Sequence, residues 1–314
     1  MELRNLGSSG LRVSVVGLGC NNFGSRIDQD AAREVVDKAI DLGVTLFDTA
    51  DIYGNRGGSE RALGEILGER RKHLVLATKF GGDMDEAKLL CGASRRYVMS
   101  AVDASLQRLQ TDWIDLYQVH VYDSKTPIEE TMRALDDLVQ AGKIRYIGCS
   151  NFSAWQVVDA NWTAKHLGLN AFISCQDEYS LVEREPEREL LPAMEALGLG
   201  LLPYFPLASG LLTGKYRRGQ PAPEGTRFAK TPHLAERYGT EKHWTIVEQL
   251  REFAAQRGRS LLELAFSWLA AQPLVGSIIA GATKASQIDQ NVRAVAWALS
   301  AQDLEEIDRL SAAD

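Results

Sequence analysis

Short apolar runs recur along the chain, separated by stretches in which apolar residues recur at intervals of three and four. Helical spacing is clear, for example, in residues 30–42 and 94–109. An alternation of strands and helices predicts a parallel sheet whose strands are apolar on both faces because helices cover them. Eight runs have the composition of such buried strands: residues 13–19, 44–50, 74–80, 114–120, 144–150, 171–176, 199–205 and 275–281.

Helix starts carry their own signals. Three segments match the capping box, in which a Ser or Thr at the helix N-cap is followed three residues later by Glu or Gln. They begin at Thr126, Ser153 and Ser260, and the first places Pro127 at the opening helical position. We expect these helices to end near Ala141 for the first and Ala271 for the third, and a further helix to begin at Ser286.

Eight strand–helix units in one chain favour an α/β fold of the (β/α)8 TIM-barrel type over an open, doubly wound sheet. Residues 3–13 predict an additional N-terminal β-hairpin that turns at Ser-Ser-Gly. The gap between the seventh and eighth strands is long and rich in Gly, Pro and charge, so we expect a long loop over residues 215–239. No linker divides the sequence, which predicts one domain over residues 1–314.

Composition narrows the function classes. The chain has 314 residues with 35 basic and 42 acidic side chains, a net charge of −7, so no basic excess favours nucleic acid or an anionic membrane. The first ten residues lack a secretory signal, and the longest apolar stretch, 197–214, is broken by prolines and glycines. The four cysteines lack CxxC spacing and the five histidines lack metal-ligand spacing. We expect a cytoplasmic protein with reduced thiols and no metal.

Polar side chains stand where strands end, and in such barrels the active site lies at the carboxyl ends of the strands. Asp48, Lys79 and His120 end three successive strands, and Tyr53 follows Asp48 closely. A tyrosine is a poor acid at neutral pH, but a nearby lysine ammonium stabilises its phenolate and lowers its pKa. An aspartate would hold the lysine, and a histidine could hydrogen-bond a substrate oxygen. Each residue alone could be structural, but together they suit protonation of an alkoxide during carbonyl reduction.

Later strand ends are also polar. The fifth strand ends in Ser150 and Asn151, the sixth in Gln176, and the seventh contains Tyr204. The turn and helix that follow the eighth strand carry further polar or small residues: Gly281, Thr283, Lys284, Gln287 and Asn291.

Several ordered stretches resemble the signature segments of the aldo-keto reductase superfamily. They are FDTADIYG (47–54), ATKF (77–80), DLYQVH (115–120), GKIRYIGCSNF (142–152), QDEYSL (176–181), PYFPLASGLLTGKY (203–216) and GATKASQIDQN (281–291). The resemblance extends from the first strand to about Asn291. It is nearest to the bacterial general reductases and the potassium-channel beta subunits.

The resemblance implies an NADPH-dependent reductase of aldehydes or ketones. In that family pattern, Tyr53 would be the general acid, Lys79 and Asp48 would lower its pKa, and His120 would orient the carbonyl. Residues that would hold the nicotinamide half are Ser150, Asn151, Gln176 and Tyr204, the last by stacking. Residues that would hold the phosphates and adenosine are Leu207, Lys215, Gly281, Thr283, Lys284, Gln287 and Asn291, with Lys284 favouring NADPH through the 2′-phosphate.

Other interpretations remain open. A nicotinamide-binding regulatory subunit would carry the same four residues, and a sugar-nucleotide ketoreductase could use loop cations such as Arg217, Arg218, Arg227 and Lys230, although solvated charges are the simpler interpretation. Gly17-Leu18-Gly19 lacks the Rossmann pattern, and Gly210–Lys215 lacks a P-loop's spacing. By position, a partly aromatic pocket suited to a medium-sized aldehyde or ketone would be lined by Phe23, Ile52, Phe80, Tyr122 and Phe228. The sequence leaves open whether the protein is a monomer or a homo-oligomer.

Overall fold

A computed structural model describes residues 1–311. Eight parallel strands form one sheet in the order β10-β3-β4-β5-β6-β7-β8-β9. The strands are β3 (Val16–Gly19), β4 (Leu46–Asp48), β5 (Val75–Phe80), β6 (Ile114–Val119), β7 (Ile144–Ser150), β8 (Phe172–Gln176), β9 (Gly200–Leu201) and β10 (Ile278–Gly281). The Leu201 N–H donates to the Leu274 carbonyl at 2.7 Å, and the Gly276 N–H donates to the Leu201 carbonyl at 3.0 Å. These bonds join the two edges of the sheet, so the predicted (β/α)8 barrel is confirmed.

Helices follow the strands and cover the barrel. They are α1 (Gln29–Asp41), α2 (Tyr53–Leu67), α3 (Arg95–Leu109), α4 (Ile128–Gln140), α5 (Ala154–Leu167), α6 (Leu190–Leu197), α7 (Arg227–Lys230), α8 (Pro232–Tyr238), α9 (Glu241–Gln256), α10 (Leu261–Ala271), α11 (Ala285–Ala294) and α12 (Ala301–Ser311). No helix within residues 1–311 is long and apolar enough to cross a membrane.

The predicted N-terminal hairpin is present as β1 (Leu3–Asn5) paired with β2 (Arg12–Ser14). The apolar run 13–19 is not one strand, however. Its first residues belong to β2, and the barrel strand begins only at Val16. The side chain of Leu6, in the hairpin turn, is fully buried in the same apolar cluster as Leu46 and Leu116 of the barrel strands. The hairpin therefore closes the amino-terminal end of the barrel and leaves the carboxyl end open.

Two of the three predicted capping boxes are present. Ser260 and Glu263 satisfy each other's backbone N–H groups at 3.2 and 2.9 Å, and the Ser153 N–H donates to Gln156 at 2.9 Å. The prediction at Thr126 is wrong, because its hydroxyl donates to Asp123 at 2.7 Å. Pro127 is consequently the N-cap of α4 and not its first helical residue.

Residues 215–239 are not the uninterrupted loop that the sequence predicts, because α7 and α8 form within them. We call residues 215–238 the connecting segment. Inside it, Phe228 stacks on Tyr216 with ring centroids 4.2 Å apart and an interplanar angle of 7°. Arg237 and Tyr238 both donate to the carboxylate of Glu178, which lies two residues beyond β8. These contacts hold the connecting segment against the carboxyl end of the barrel.

Candidate active site

The side chains that end β4, β5 and β6 converge with Tyr53 inside the open end of the barrel. The Lys79 ammonium lies 2.6 Å from Asp48 Oδ2 and 5.0 Å from the centre of the Tyr53 ring. Tyr53 and His120 meet edge to face, with ring centroids 5.6 Å apart and an interplanar angle of 85°. The structure therefore brings together the four residues that the sequence selects for chemistry.

Tyr53 owes its position to an unusual turn at the start of α2. The next four residues all have positive φ, from 58° at Asn55 to 99° at Gly57. A side chain at Gly54 would place its Cβ 2.5 Å from the Phe23 carbonyl oxygen and the Ser59 nitrogen. Only glycine fits at that position. Such conformations are costly and cluster at functional sites, so the fold sustains local strain to hold Tyr53 over the barrel.

The second oxygen of Asp48 has partners that the sequence analysis missed. Asp48 Oδ1 accepts from Gln118 Nε2 at 3.0 Å and from Gln176 Nε2 at 2.9 Å. Gln118 is opposite Lys79 in the β5–β6 register and is fully buried. A glutamine near the carboxyl end of a barrel strand, two residues before His120, was the signal available. Both carboxylate oxygens are thus engaged, which fixes the carboxylate beneath Lys79.

Electrostatics within this group depart from the sequence-based expectation for Tyr53. Burial raises the pKa of Tyr53, Lys79 opposes that effect, and the net pKa lies above its ordinary value of 10.0. Lys79 therefore acts on the pKa of Tyr53 in the direction that the sequence predicts, but burial has the larger effect. Burial lowers the pKa of Lys79, but Asp48 and Tyr53 raise it by a larger amount, so the net pKa of Lys79 is above its ordinary value of 10.5. At neutral pH the site holds a protonated phenol beside an ammonium.

His120 is a neutral imidazole at physiological pH. Burial and the positive charge of Lys79 lower its pKa to about 3. Its Nδ1 atom is buried and has no hydrogen-bond partner among the described residues. A neutral, partly unpartnered imidazole can hydrogen-bond an oxygen in the cavity but cannot act as an acid at neutral pH.

A chain of hydrogen bonds connects His120 to Tyr204 across the mouth. Asn151 Nδ2 donates to the His120 carbonyl and to Ser150 Oγ, both at 3.0 Å, and Asn151 Oδ1 accepts from the Tyr204 hydroxyl at 2.7 Å. The Ser150 hydroxyl donates to the Gln176 carbonyl at 2.7 Å. The predicted nicotinamide-binding residues therefore lie together on one wall, with the Gln176 side chain turned inward to Asp48.

A second group of predicted residues lies where β9 and β10 end. Leu207 precedes a turn in which Ala208, Ser209 and Gly210 all have positive φ. The Ser209 hydroxyl is buried and has no hydrogen-bond partner within residues 1–311. A Cβ at Gly210 would lie 2.9 Å from the Lys215 ammonium. A cation and an unsatisfied hydroxyl therefore meet at one turn, an arrangement that fits a phosphate group.

At the start of α11, Gln287 Oε1 accepts from the Thr283 N–H at 2.7 Å and from its hydroxyl at 3.1 Å. Lys284 is the exposed N-cap residue of α11, Asn291 is buried on the same helix, and Gly281 lies against the loop after β3. The N-terminus of a helix with an adjacent lysine favours an anion.

Arg227 adds a cation to this side of the mouth. Its guanidinium lies 5.1 Å from the centre of the Phe205 ring, and its Nε is buried without a partner among the described residues. Burial and the nearby Arg26 lower the pKa of Arg227. Within residues 1–311, neither Arg227, Lys215 nor Lys284 forms a salt bridge, although the chain is acidic overall. The donor set therefore fits a phosphorylated dinucleotide.

Three of the five expected pocket residues are buried against other parts of the fold. Phe80 is fully buried and stacks on Tyr117 at 4.7 Å in the layer between barrel and helices. Because side chains alternate along a strand, Lys79 faces the barrel interior and Phe80 faces outward. Phe23 is also fully buried, and Phe228 is occupied by its stack on Tyr216. Ile52 and Tyr122 are partly exposed and remain candidates.

The chain is similar to known proteins over nearly its whole length. The family model described as Aldo/keto reductase family matches residues 15–312. The uncharacterized oxidoreductase YrpG of Bacillus subtilis is 37% identical, covering 97% of this chain and 94% of that protein. A probable voltage-gated potassium channel subunit beta of Oryza sativa is 39% identical, with coverages of 94% and 91%. The L-glyceraldehyde 3-phosphate reductase of Escherichia coli O157:H7 is 36% identical, with coverages of 98% and 92%.

Proposed function

The chain belongs to the aldo/keto reductase family, and from that premise we propose that it reduces aldehydes or ketones to alcohols with NADPH, using Tyr53 as the general acid. The observation that carries the proposal is the contact series Asp48–Lys79–Tyr53–His120 at the open end of the barrel. When bound, NADPH would supply the hydride. The residues of this chain would supply the proton, stabilise the phenolate that is left behind and orient the carbonyl.

Tyr53 is suited to give a proton because it keeps that proton until it is needed. Its raised pKa leaves the phenol protonated at neutral pH. As the carbonyl oxygen gains charge, its basicity rises and the phenol can transfer a proton to it. The Lys79 ammonium then stabilises the phenolate that Tyr53 becomes, and Asp48 holds the ammonium in place.

The remaining member, His120, would position the carbonyl. As a neutral imidazole it can donate one hydrogen bond to the carbonyl oxygen without competing as an acid. Its ring lies edge to face against Tyr53 with centroids 5.6 Å apart, so one substrate oxygen would lie within reach of both side chains. We assign orientation to His120 and proton transfer to Tyr53.

Three groups of residues would hold NADPH. Asn151, Ser150 and Gln176 offer hydrogen-bonding groups for the carboxamide, and Tyr204 offers a ring for the nicotinamide face. Ser209, Lys215 and Arg227 would meet the diphosphate. The adenosine half would be held by Thr283, Lys284, Gln287 and Asn291, and Lys284 supports NADPH over NADH because a cation favours the additional 2′-phosphate.

The test is NADPH oxidation by the purified protein with an activated aromatic aldehyde, 4-nitrobenzaldehyde, compared with NADH at the same concentration. We expect saturable turnover that is faster at low cofactor concentration with NADPH. Absence of turnover with this and a panel of other aldehydes and ketones, despite tight NADPH binding, would contradict the proposal.

That negative outcome would favour a second candidate, a nicotinamide-binding regulatory subunit. Its support is the 39% identity to a protein named as a probable voltage-gated potassium channel subunit beta. The four catalytic candidates do not separate these functions, so turnover number decides between them.

A further inference from the structure

One side of the barrel mouth carries large apolar side chains that are open to solvent. Leu89 is 65% exposed, Leu90 42%, Val121 50% and Trp155 60%. They belong to the loops after β5 and β6 and to the first turn of α5, which all lie at the carboxyl ends of the strands. We call these four residues the apolar rim. Exposed apolar residues gathered beside a site mark a binding surface more often than isolated ones do.

The apolar rim is continuous with the active site. Val121 directly follows His120, and the ring of Tyr122 meets the ring of Trp155 edge to face at 5.7 Å. The loop that carries the two leucines is attached to the same region, because the Ala93 N–H donates to Asp123 Oδ2 at 2.9 Å. A molecule with its carbonyl beside His120 would therefore extend towards Trp155.

Charge distinguishes this side of the mouth from the other. The cations at the β5 loop are committed to Asp83: Lys88 Nζ lies 3.2 Å from its carboxylate, and Arg56 Nε donates to its carbonyl at 3.2 Å. Lys215 and Arg227, which form no salt bridge within residues 1–311, belong to the connecting segment on the opposite side. The loop after β6 also carries Lys125, which forms no salt bridge within residues 1–311 but lies near enough to Asp123 to lower the pKa of that carboxyl. Asp83 and Asp85 lie in the loop after β5. A substrate tail on the apolar rim would therefore find apolar contacts in surroundings that are more acidic than basic.

Building on the proposed reductase function, we propose that the apolar rim binds the hydrocarbon part of an uncharged aldehyde or ketone, with Trp155 as its principal contact. The enzyme then prefers carbonyl compounds with a medium-length apolar chain to short ones or to phosphorylated ones. The chemical reason is area: each methylene removed from water favours binding, and the indole face of Trp155 offers the largest single surface at the rim.

The chain provides a matched control. Trp162 is 61% exposed on the same helix, seven residues after Trp155. Seven residues of helix advance about 10 Å, which places Trp162 away from the mouth. Trp155→Ala and Trp162→Ala therefore remove the same exposed side chain from one helix at two distances from the site.

The experiment measures kcat/KM with NADPH for propanal and heptanal in the parent protein and both variants. We expect heptanal to be favoured about tenfold or more in the parent. Trp155→Ala should lower the heptanal-to-propanal ratio about fivefold, mainly through the KM for heptanal, whereas Trp162→Ala should keep the parent ratio. Trp155→Phe should restore part of the preference.

A ratio unchanged by Trp155→Ala would overturn the proposal. So would an equal loss in both tryptophan variants, and if that loss came with a change in sedimentation, the surface would be a protein interface instead. A preference for glyceraldehyde 3-phosphate over heptanal would also overturn it. If neither aldehyde turns over, the reductase function fails separately. Heptanal binding would then be measured by the quenching of tryptophan fluorescence. Saturable quenching that is lost in Trp155→Ala and kept in Trp162→Ala would show that the apolar rim binds heptanal, and quenching that both variants keep would overturn the proposal.

Discussion

The ammonium of Lys79 lies 2.6 Å from the carboxylate of Asp48, and both side chains are buried at the open end of the barrel. Removing one partner of such a pair leaves an uncompensated charge away from water. Asp48→Asn should therefore lower the free energy of unfolding by about 3 kcal/mol, measured by urea denaturation. Asn keeps the shape of the side chain, so a loss below about 1 kcal/mol would show that the ion pair does not organise the site.

Gln118 connects to this pair through Asp48 Oδ1. Gln118→Leu removes one of the hydrogen bonds that fix the carboxylate while keeping a side chain of similar size in β6. We expect kcat to fall about tenfold and NADPH affinity to change by less than twofold, because Gln118 acts through Asp48 and Lys79. Loss of NADPH binding instead would place Gln118 in the cofactor site.

Sequence alone was sufficient for the barrel and for the residues at strand ends, because both follow from patterns local in sequence. Sequence patterns did not predict the direction in which a side chain points or how deeply it is buried. Phe80 follows Lys79 and so points away from the cavity, and burial, which no pattern quantifies, outweighs Lys79 in setting the pKa of Tyr53. Gln118 was missed because its partner, Asp48, lies 70 residues away in the sequence. Ser209 was missed because its buried hydroxyl is notable for having no hydrogen-bond partner within residues 1–311. The predicted cytoplasmic location and single-domain organisation remain predictions.

Asp51 should make stability depend on pH in the direction opposite to most carboxylates. Burial and the nearby Glu60 raise the pKa of Asp51 from 3.8 to about 7. The Tyr97 hydroxyl donates a hydrogen bond to Asp51 Oδ2. Between about pH 4 and 7 the folded state holds a proton that the unfolded state has released, so the free energy of unfolding falls as pH rises through this window.

Urea midpoints at pH 5 and pH 8 measure that effect. Asp51→Asn should reduce the difference between the two midpoints. Part of the difference should persist, because burial also raises the pKa of Asp177 to about 8, and Asp177→Asn should remove that part. Midpoints that fall in parallel for parent and Asp51→Asn would show that Asp51 is ionised throughout.

Titration of His120 should not contribute to the pH dependence of kcat/KM. Its pKa of about 3 keeps it neutral between pH 5 and 8, so His120→Gln should lower kcat/KM at every pH in this range without changing the shape of the profile. A limb near pH 6.5 in the parent that disappears in the variant would mean that the imidazole titrates during catalysis.

The affinities for NADPH and NADH should distinguish the exposed Lys284 from the partly buried Arg227. Lys284→Ala should weaken NADPH binding about tenfold while changing NADH binding by less than twofold, since only NADPH carries the 2′-phosphate. Arg227→Ala should weaken both cofactors, because both carry the diphosphate. Fluorescence titration of each variant with each cofactor checks this, and unchanged selectivity in Lys284→Ala would move the 2′-phosphate site elsewhere.

The central claim is that Tyr53 gives the proton while other residues hold the cofactor, and Tyr53→Phe tests it most directly. Tyr97→Phe is the matched control, since it also removes a buried hydroxyl near the site but one that bonds to Asp51. We predict that Tyr53→Phe lowers kcat for aldehyde reduction at least about a hundredfold and leaves the Kd for NADPH within twofold, while Tyr97→Phe retains most turnover. Comparable kcat in Tyr53→Phe and the parent, or equal loss of kcat and NADPH affinity, would contradict the account.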